Sequence, residues 1–222
     1  VLANDGPGSG LDADTLDGAG ATAFQARVTG TCPAGQAVQA VHADGTVTCY
    51  EVPVPPRLTA VDSAGSVGYY NSLALGSDGF PVISYFDNTN QDLKVVKCSD
   101  AACAPGGETF TTVDSTGNVG FYSSIAIEGD GFPVISYRDT TNGDLKVVKC
   151  NDAACEFGGE TFTTVDSAGD VGNFTSLAIG GDGSPVISYL DVTNGDLKVV
   201  KCNDAACSSV TLTTVDSTGS VG

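Results

Sequence analysis

VDSAGSVGYYNSLALGSDGFPVISYFDNTNQDLKVVKCSDAAC, residues 61–103, decides the fold, because it is written again almost unchanged at 113–155 and 165–207. The tripeptide Val-Asp-Ser marks the copies at Val61, Val113 and Val165 and appears once more at Val215, so successive copies lie 52, 52 and 50 residues apart. A period near 50 residues is that of a unit that buries its apolar face only by stacking on its neighbour. Each copy carries four strand signals: ETFTTVDS (108–115), SLALGSDG (72–79), PVISYF (81–86) and DLKVVKC (144–150). In the second, Leu73 and Leu75 alternate with Ser72 and Ala74, the period of two that a half-covered strand requires. The third is apolar on both faces, which suits a sheet covered on both sides. Turns fall at Asp-Gly and at TNGD (141–144), where Asn-Gly is expected to take two positive-φ positions of a hairpin. The expected fold is all-β: tandem four-stranded blade-like repeats, propeller-like or in an open array, after a small disulfide-closed β module.

The composition fits that reading and excludes other classes. Of 222 residues, 29 are Gly and 9 Pro, and no segment sustains a helical period. Acidic residues number 27 against 9 basic ones for a net charge of −18, and all but five of the acids are Asp. Asp serves turns and caps through its short carboxylate, so this charge is expected on loops. Such a surface repels phosphate backbones and argues against nucleic-acid binding. No apolar run approaches the roughly 20 residues of a membrane span, and no signal peptide stands at the start. The chain starts at Val1 and contains no Met, which suggests a processed product or part of a longer chain.

Three regions are expected: a module at 1–52, a stiff Pro-rich linker at 53–57 containing PVPP, and the repeats at 58–222. The repeats divide as 61–112, 113–164 and 165–214, with an extra first strand at 215–222. LTAVDSAGSVG (58–68) opens the array and LTTVDSTGSVG (212–222) closes it. Either the chain is part of a longer protein, or the spare strand completes a sheet in a neighbouring subunit and joins copies into a filament or closed oligomer.

The pattern S-L-A-x-x-x-D-G-x-P-V-I-S-Y-x-D (72–87) and the N-G-D-L-K that follows in the later copies resemble blades of bacterial β-propellers of the sialidase-like and kelch-like type. The N-terminal segment, with LDADTLDG (11–18), AFQARVTGTCPAG (23–35) and HADGTVTC (42–49), resembles a module of bacterial surface and phage tail-fibre-like proteins. That resemblance implies an attachment or oligomerisation element of an extracellular protein.

The eight cysteines are Cys32 and Cys49, then one C-x4-C per repeat: Cys98/Cys103, Cys150/Cys155 and Cys202/Cys207. An even count in local pairs points to disulfides and an oxidising compartment, hence the cell exterior or surface. Bridges within a repeat, bridges between adjacent repeats and a zinc site are the alternatives. Zinc is disfavoured because each C-x4-C supplies two thiolates and the single His, His42, lies in the other region.

Catalysis is not expected. A sialidase needs an arginine cluster, whereas Arg27, Arg57 and Arg138 do not recur between copies, and the Trp that follows an Asp-box turn is absent. Weak calcium candidates are Asp87, Asn90 and Asp92, with their copies Asp139, Asn142, Asp144 and Asp191, Asn194, Asp196, where oxygen ligands cluster around a turn. Asn173-Phe174-Thr175 is a glycosylation sequon. Tyr85, Tyr137 and Tyr189 read as core, while Tyr69-Tyr70 becomes Phe121-Tyr122 and then Asn173-Phe174, so no aromatic platform repeats. The function expected is that of a structural subunit of an extracellular filament, appendage or surface assembly that self-associates through terminal strands. A lectin-like glycan-binding module and a fragment of a carbohydrate-active enzyme are the alternatives.

Overall fold

Among the described residues, strands alone build the regular structure. The computed structural model describes residues 15–16, 19–20, 30–42, 44–52, 58–156 and 158–221. The chain divides into two units, Val1–Leu58 and Thr59–Gly222. In the first, β1 (Thr15–Leu16) pairs with β2 (Ala19–Gly20), and β3 (Gln36–Val41) with β4 (Val47–Glu51). The Cys32–Cys49 disulfide ties the segment before β3 to β4, and Asp44 shapes the intervening turn by accepting the Thr46 N–H at 3.0 Å. Most of the N-terminal motif at 11–18, the stretch 21–29 and the linker 53–57 lie outside the described residues.

The second unit holds three four-stranded antiparallel sheets that do not close on one another. Sheet one runs β5 (Tyr69–Leu75), β6 (Pro81–Asp87), β7 (Asp92–Lys97), β8 (Thr109–Asp114). Sheet two runs β9 (Val119–Ile127), β10 (Pro133–Asp139), β11 (Asp144–Lys149), β12 (Thr161–Asp166). Sheet three runs β13 (Val171–Ile179), β14 (Pro185–Asp191), β15 (Asp196–Cys202), β16 (Val210–Asp216).

The strand expected to open each repeat instead closes the sheet before it. β8 pairs with β7, β12 with β11 and β16 with β15. The cause is the connection after each third strand, where Cys98–Cys103, Cys150–Cys155 and Cys202–Cys207 close rings that turn the chain back beside the strand it has just left. Each such ring contributes about 2 kcal/mol on the loop-entropy account. Of the segment expected as an extra first strand, 215–222, Val215 and Asp216 instead end β16, the fourth strand of sheet three, and the first copy of the motif, at 58–63, forms no strand.

The turns between second and third strands also differ from the expected Asn-Gly pair. Only the last loop residue takes positive φ, 77° at Gly143, 72° at Gly195 and 66° at Gln91. The Asn is instead held in place by the preceding Asp: Asp139 accepts the N–H groups of Thr141 and Asn142 and the Asn142 side-chain amide.

The sheets stack through their first strands, with β9 against β5 and β6, and β13 against β9 and β10. Val82, Leu93 and Val95 of sheet one pack with Val119, Ile125 and Tyr137 of sheet two. The same positions recur one joint later as Val134, Leu145 and Val147 with Val171, Leu177 and Tyr189. Closeness is set by glycine: a Cβ on Gly120, at φ 102°, would stand 2.8 Å from the Leu93 Cα, and one on Gly172 would stand 3.0 Å from the Leu145 Cα. Gly120→Ala is therefore expected to cost more than about 1 kcal/mol in urea unfolding. Gly129→Ala, where an added Cβ meets nothing within 4 Å, is expected to stay within about 0.5 kcal/mol of the parent.

Candidate functional site

Each joint between sheets is locked by one aspartate. Asp114, at the end of β8, accepts the Tyr137 hydroxyl at 2.6 Å from β10 and the Lys146 ammonium at 2.6 Å from β11. Asp166, at the end of β12, repeats this with Tyr189 at 2.6 Å and Lys198 at 2.5 Å. Each lysine also lies over the ring of its tyrosine, 5.5 Å and 5.7 Å from the centroids. Burial alone would raise the Asp114 pKa, but hydrogen bonds from Lys146, Tyr137 and the Thr116 N–H hold it below the ordinary carboxylate value, and Asp166 behaves alike. Burial, with the neighbouring carboxylate charge, pushes Tyr137 well above the usual phenol value. Side-chain hydroxyls add to the joint: Ser123 donates to the Tyr70 carbonyl at 2.8 Å and Thr175 to that of Tyr122 at 2.9 Å. Thr111 and Thr163 donate to Ala154 and Ala206 inside the next disulfide ring.

Within the second unit, the two outer faces of the array carry the same chemistry with no further sheet of that unit against them. On the front of sheet one, Leu73 and Leu75 are 56% and 60% exposed, whereas Ile125 and Leu177, which match Leu73, are 6% and 8% exposed, and Ile127 and Ile179, which match Leu75, are partly buried. Gly68 meets nothing where Gly120 and Gly172 touch the preceding sheet. Residues 62–68 lie over part of this front face as the tail of a preceding sheet would. Asp62 accepts Tyr85 at 2.6 Å and Lys94 at 2.9 Å, and the Asn88 N–H donates to the Ser66 carbonyl at 2.9 Å. A pocket of about 230 Å³ remains, lined by Val61, Val67, Ile83, Tyr85 and Val96 among others.

The back of sheet three presents the converse. Val186 and Ser188 are partly exposed where Val82, Ser84, Val134 and Ser136 are fully buried. The Val221 N–H donates to the Gly195 carbonyl at 2.9 Å, just as Val119 does to Gln91 and Val171 to Gly143. Asp216 is exposed and already held in the turn shape of its counterparts by the Thr218 N–H at 3.0 Å.

The calcium candidates resolve into turn chemistry. Asp87 accepts the N–H groups of Thr89 and Asn90 and the Asn90 amide, and the Asp191 carboxylate accepts both nitrogens of Asn194. The cation beside them is lysine: Lys94 lies 3.9 Å from Asp87 and Lys198 3.6 Å from Asp191. Burial first, then the Asp87 and Asp139 charges, raise the pKa of Asp92 and Asp144, which weakens them as ligands. Among the described residues no group of three or more His, Cys, Asp or Glu side chains could hold a metal ion. Asn173 sits within β13 opposite Leu190 rather than in a loop, its Oδ1 buried without a partner. His42 hydrogen-bonds Thr48 at 2.6 Å within the N-terminal hairpin. Tyr85, Tyr137 and Tyr189 are core, as their spacing suggested, but their hydroxyls are also the donors of the lock.

No protein-family model matches the chain. No curated protein matches it either. Among solved structures it is similar to a protein of unknown function from Dyadobacter fermentans, with a TM-score of 0.55 and 11% identity over 70% of this chain. The chain spans 43% of that protein, and at this identity the likeness shows the all-β fold alone. No sequence family supports a place among kelch-like, sialidase-like or tail-fibre-like proteins. Four disulfides with no free cysteine are the chemistry of an oxidising compartment. Among the described residues no helix is long and apolar enough to cross a membrane, which says nothing of strand-built spans.

Asp114→Ala leaves the Lys146 ammonium and Tyr137 hydroxyl without their shared acceptor, and is expected to cost about 3 kcal/mol in denaturant unfolding. Because Asp62, Asp114 and Asp166 titrate lower in the folded chain, their contribution is complete above the unfolded carboxylate value of about 3.9 and fades as pH falls below it. The raised Glu128, Asp92 and Asp144 act in the opposite sense. In a thermal-melting series from about pH 5 to pH 2, Asp114→Asn is expected to show a shallower loss of stability than the parent.

Proposed function

We propose that the chain is a structural subunit of an assembly outside the cytosol, in which copies associate head to tail and no catalysis is involved. The observation that supports this is the duplication of one seat. Residues 58–68 occupy on sheet one the place that 110–120 and 162–172 occupy on sheets two and three, while 212–222 carry the same motif with Asp216 free of tyrosine and lysine. In the proposed joint, 212–222 of one copy displace 58–68 of the next, and Asp216 takes over its Tyr85 and Lys94. The exchange favours this direction because β16 is paired along β15 from Leu197 to Cys202, whereas 58–63 form no strand pairs. The back of sheet three then covers Leu73 and Leu75, each worth about 1.5–3 kcal/mol on full burial.

A head-to-tail interface gives a ring where its rotation closes and a filament where it does not. Propeller-like rings use about four to eight sheets, a range that two copies of three sheets reach. The extracellular setting rests on the disulfides, and the surface-protein character on the likeness of 11–49 to attachment modules. Glycan binding is a second reading, favoured by the exposed rings of Tyr69, Tyr70 and Phe174. Against it, Tyr70–Tyr122 and Tyr122–Phe174 pack against one another in tilted pairs with centroids 4.6 Å and 4.5 Å apart, which leaves no flat ring free for a sugar face.

Light scattering after size exclusion, with electron microscopy of the same fractions, tests the assembly. The parent is expected to form concentration-dependent rings or fibres. Asp216→Ala is expected to be monomeric at unchanged melting temperature, and Asp62→Ala, which loosens the resident segment, to assemble at lower concentration. Monodisperse monomers for all three would reject the reading.

A further inference from the structure

The repeats are near-identical, so the places where all three differ are informative. Within 61–103 and its copies there are five: Ser66/Asn118/Asp170, Tyr69/Phe121/Asn173, Asn71/Ser123/Thr175, Phe86/Arg138/Leu190 and Asn88/Thr140/Val192. They gather at one end of the sheets. Tyr69 is the cross-strand partner of Phe86, Phe121 of Arg138 and Asn173 of Leu190. The N–H groups of Asn88, Thr140 and Val192 bond the carbonyls of Ser66, Asn118 and Asp170 at 2.8–2.9 Å.

These positions change in step across each joint. From sheet one to sheet two, the Phe86 ring packs on Phe121 with centroids 4.2 Å apart. From sheet two to sheet three the Phe121 position is Asn173, and Arg138 pairs instead with Asp170, the counterpart of Asn118, at 2.6 Å. Exchanging the partners would leave Asp170 without its cation. The hydroxyls Ser123 and Thr175 likewise meet Ser84 and Ser136 of the sheet before, at 3.0 Å and 2.8 Å. At the open front this position is Asn71, whose amide turns back to the Gly68 carbonyl at 2.9 Å. At the open back the Phe86 position is Leu190, and on the front of sheet one the Phe121 position is Tyr69, 51% exposed.

We propose that the position carrying Phe86, Arg138 and Leu190 sets which sheet stacks on which, and that Leu190 seats against Tyr69 of a second copy. An apolar side chain then meets an aromatic ring at the inter-copy joint, and a face does not meet its own kind. This rests on the head-to-tail reading above, but its rule can also be examined within one chain.

Two measurements decide it. In the isolated chain, Arg138→Asp and Asp170→Arg singly are expected to lower the melting temperature by about 2–4 °C, and the reversed pair to restore it. Singles and pair indistinguishable from the parent would overturn the pairing rule. In sedimentation, Leu190→Arg is expected to weaken association at least tenfold without changing the melting temperature, and added Tyr69→Asp to recover it. If Asp216→Ala abolishes assembly while Leu190→Arg leaves it intact, the joint stands and the Leu190–Tyr69 contact is overturned. A parent that stays monomeric overturns both. Saturable sugar binding by monomers, lost in Tyr69→Asp, would assign the variation to a ligand and overturn the rule.

Discussion

The arrangement depends on the charge-assisted link from an aspartate at the end of one sheet to a tyrosine and a lysine of the next. A hydrophobic face between two β-sheets is tolerant of sliding, because dispersion and burial carry little direction. A carboxylate that must receive a phenol and an ammonium together has one acceptable place. Asp114 and Asp166 thus convert non-directional packing into a fixed joint, and the small offset is held by Gly120 and Gly172, where backbone meets backbone. Removing a partner is costly because the others remain in a place that excludes most water.

Much of the fold was legible in the sequence. The period, the four strand signals per copy, the core tyrosines and the local cysteine pairs are each properties of short stretches, and short stretches are what pattern reading resolves. The phase was not legible. A tandem repeat has no intrinsic starting point, and TFTTVDS alternates equally well as the first strand of one sheet or the last of another. What decides it is the return imposed by the ring at Cys98–Cys103 and its copies, a tertiary consequence of a bond that the spacing only suggests.

The lock was hidden for a related reason. Asp in Val-Asp-Ser also forms an Asx turn with the residue two ahead, as Asp114 does with Thr116, and that local role is a sufficient account of it. Its long-range role shows only in constant offsets, 23 residues to the tyrosine and 32 to the lysine in every copy. The calcium candidates have a local account of the same kind: Asp87, Asn90 and their copies are close in space, and their oxygens and nitrogens satisfy one another.

The covalent rings have a mechanical side. Each six-membered stretch of chain from Cys98 to Cys103, Cys150 to Cys155 and Cys202 to Cys207 closes within its own sheet, and none crosses a joint. Parting of the sheets is therefore resisted by the backbone and by non-covalent contacts, with no disulfide tying one sheet to the next. One sheet can pull out while its neighbours hold, releasing a length on the order of 150 Å for a 52-residue period less its locked ring. A chain so built would lengthen in steps of similar size, each shortened by its locked ring.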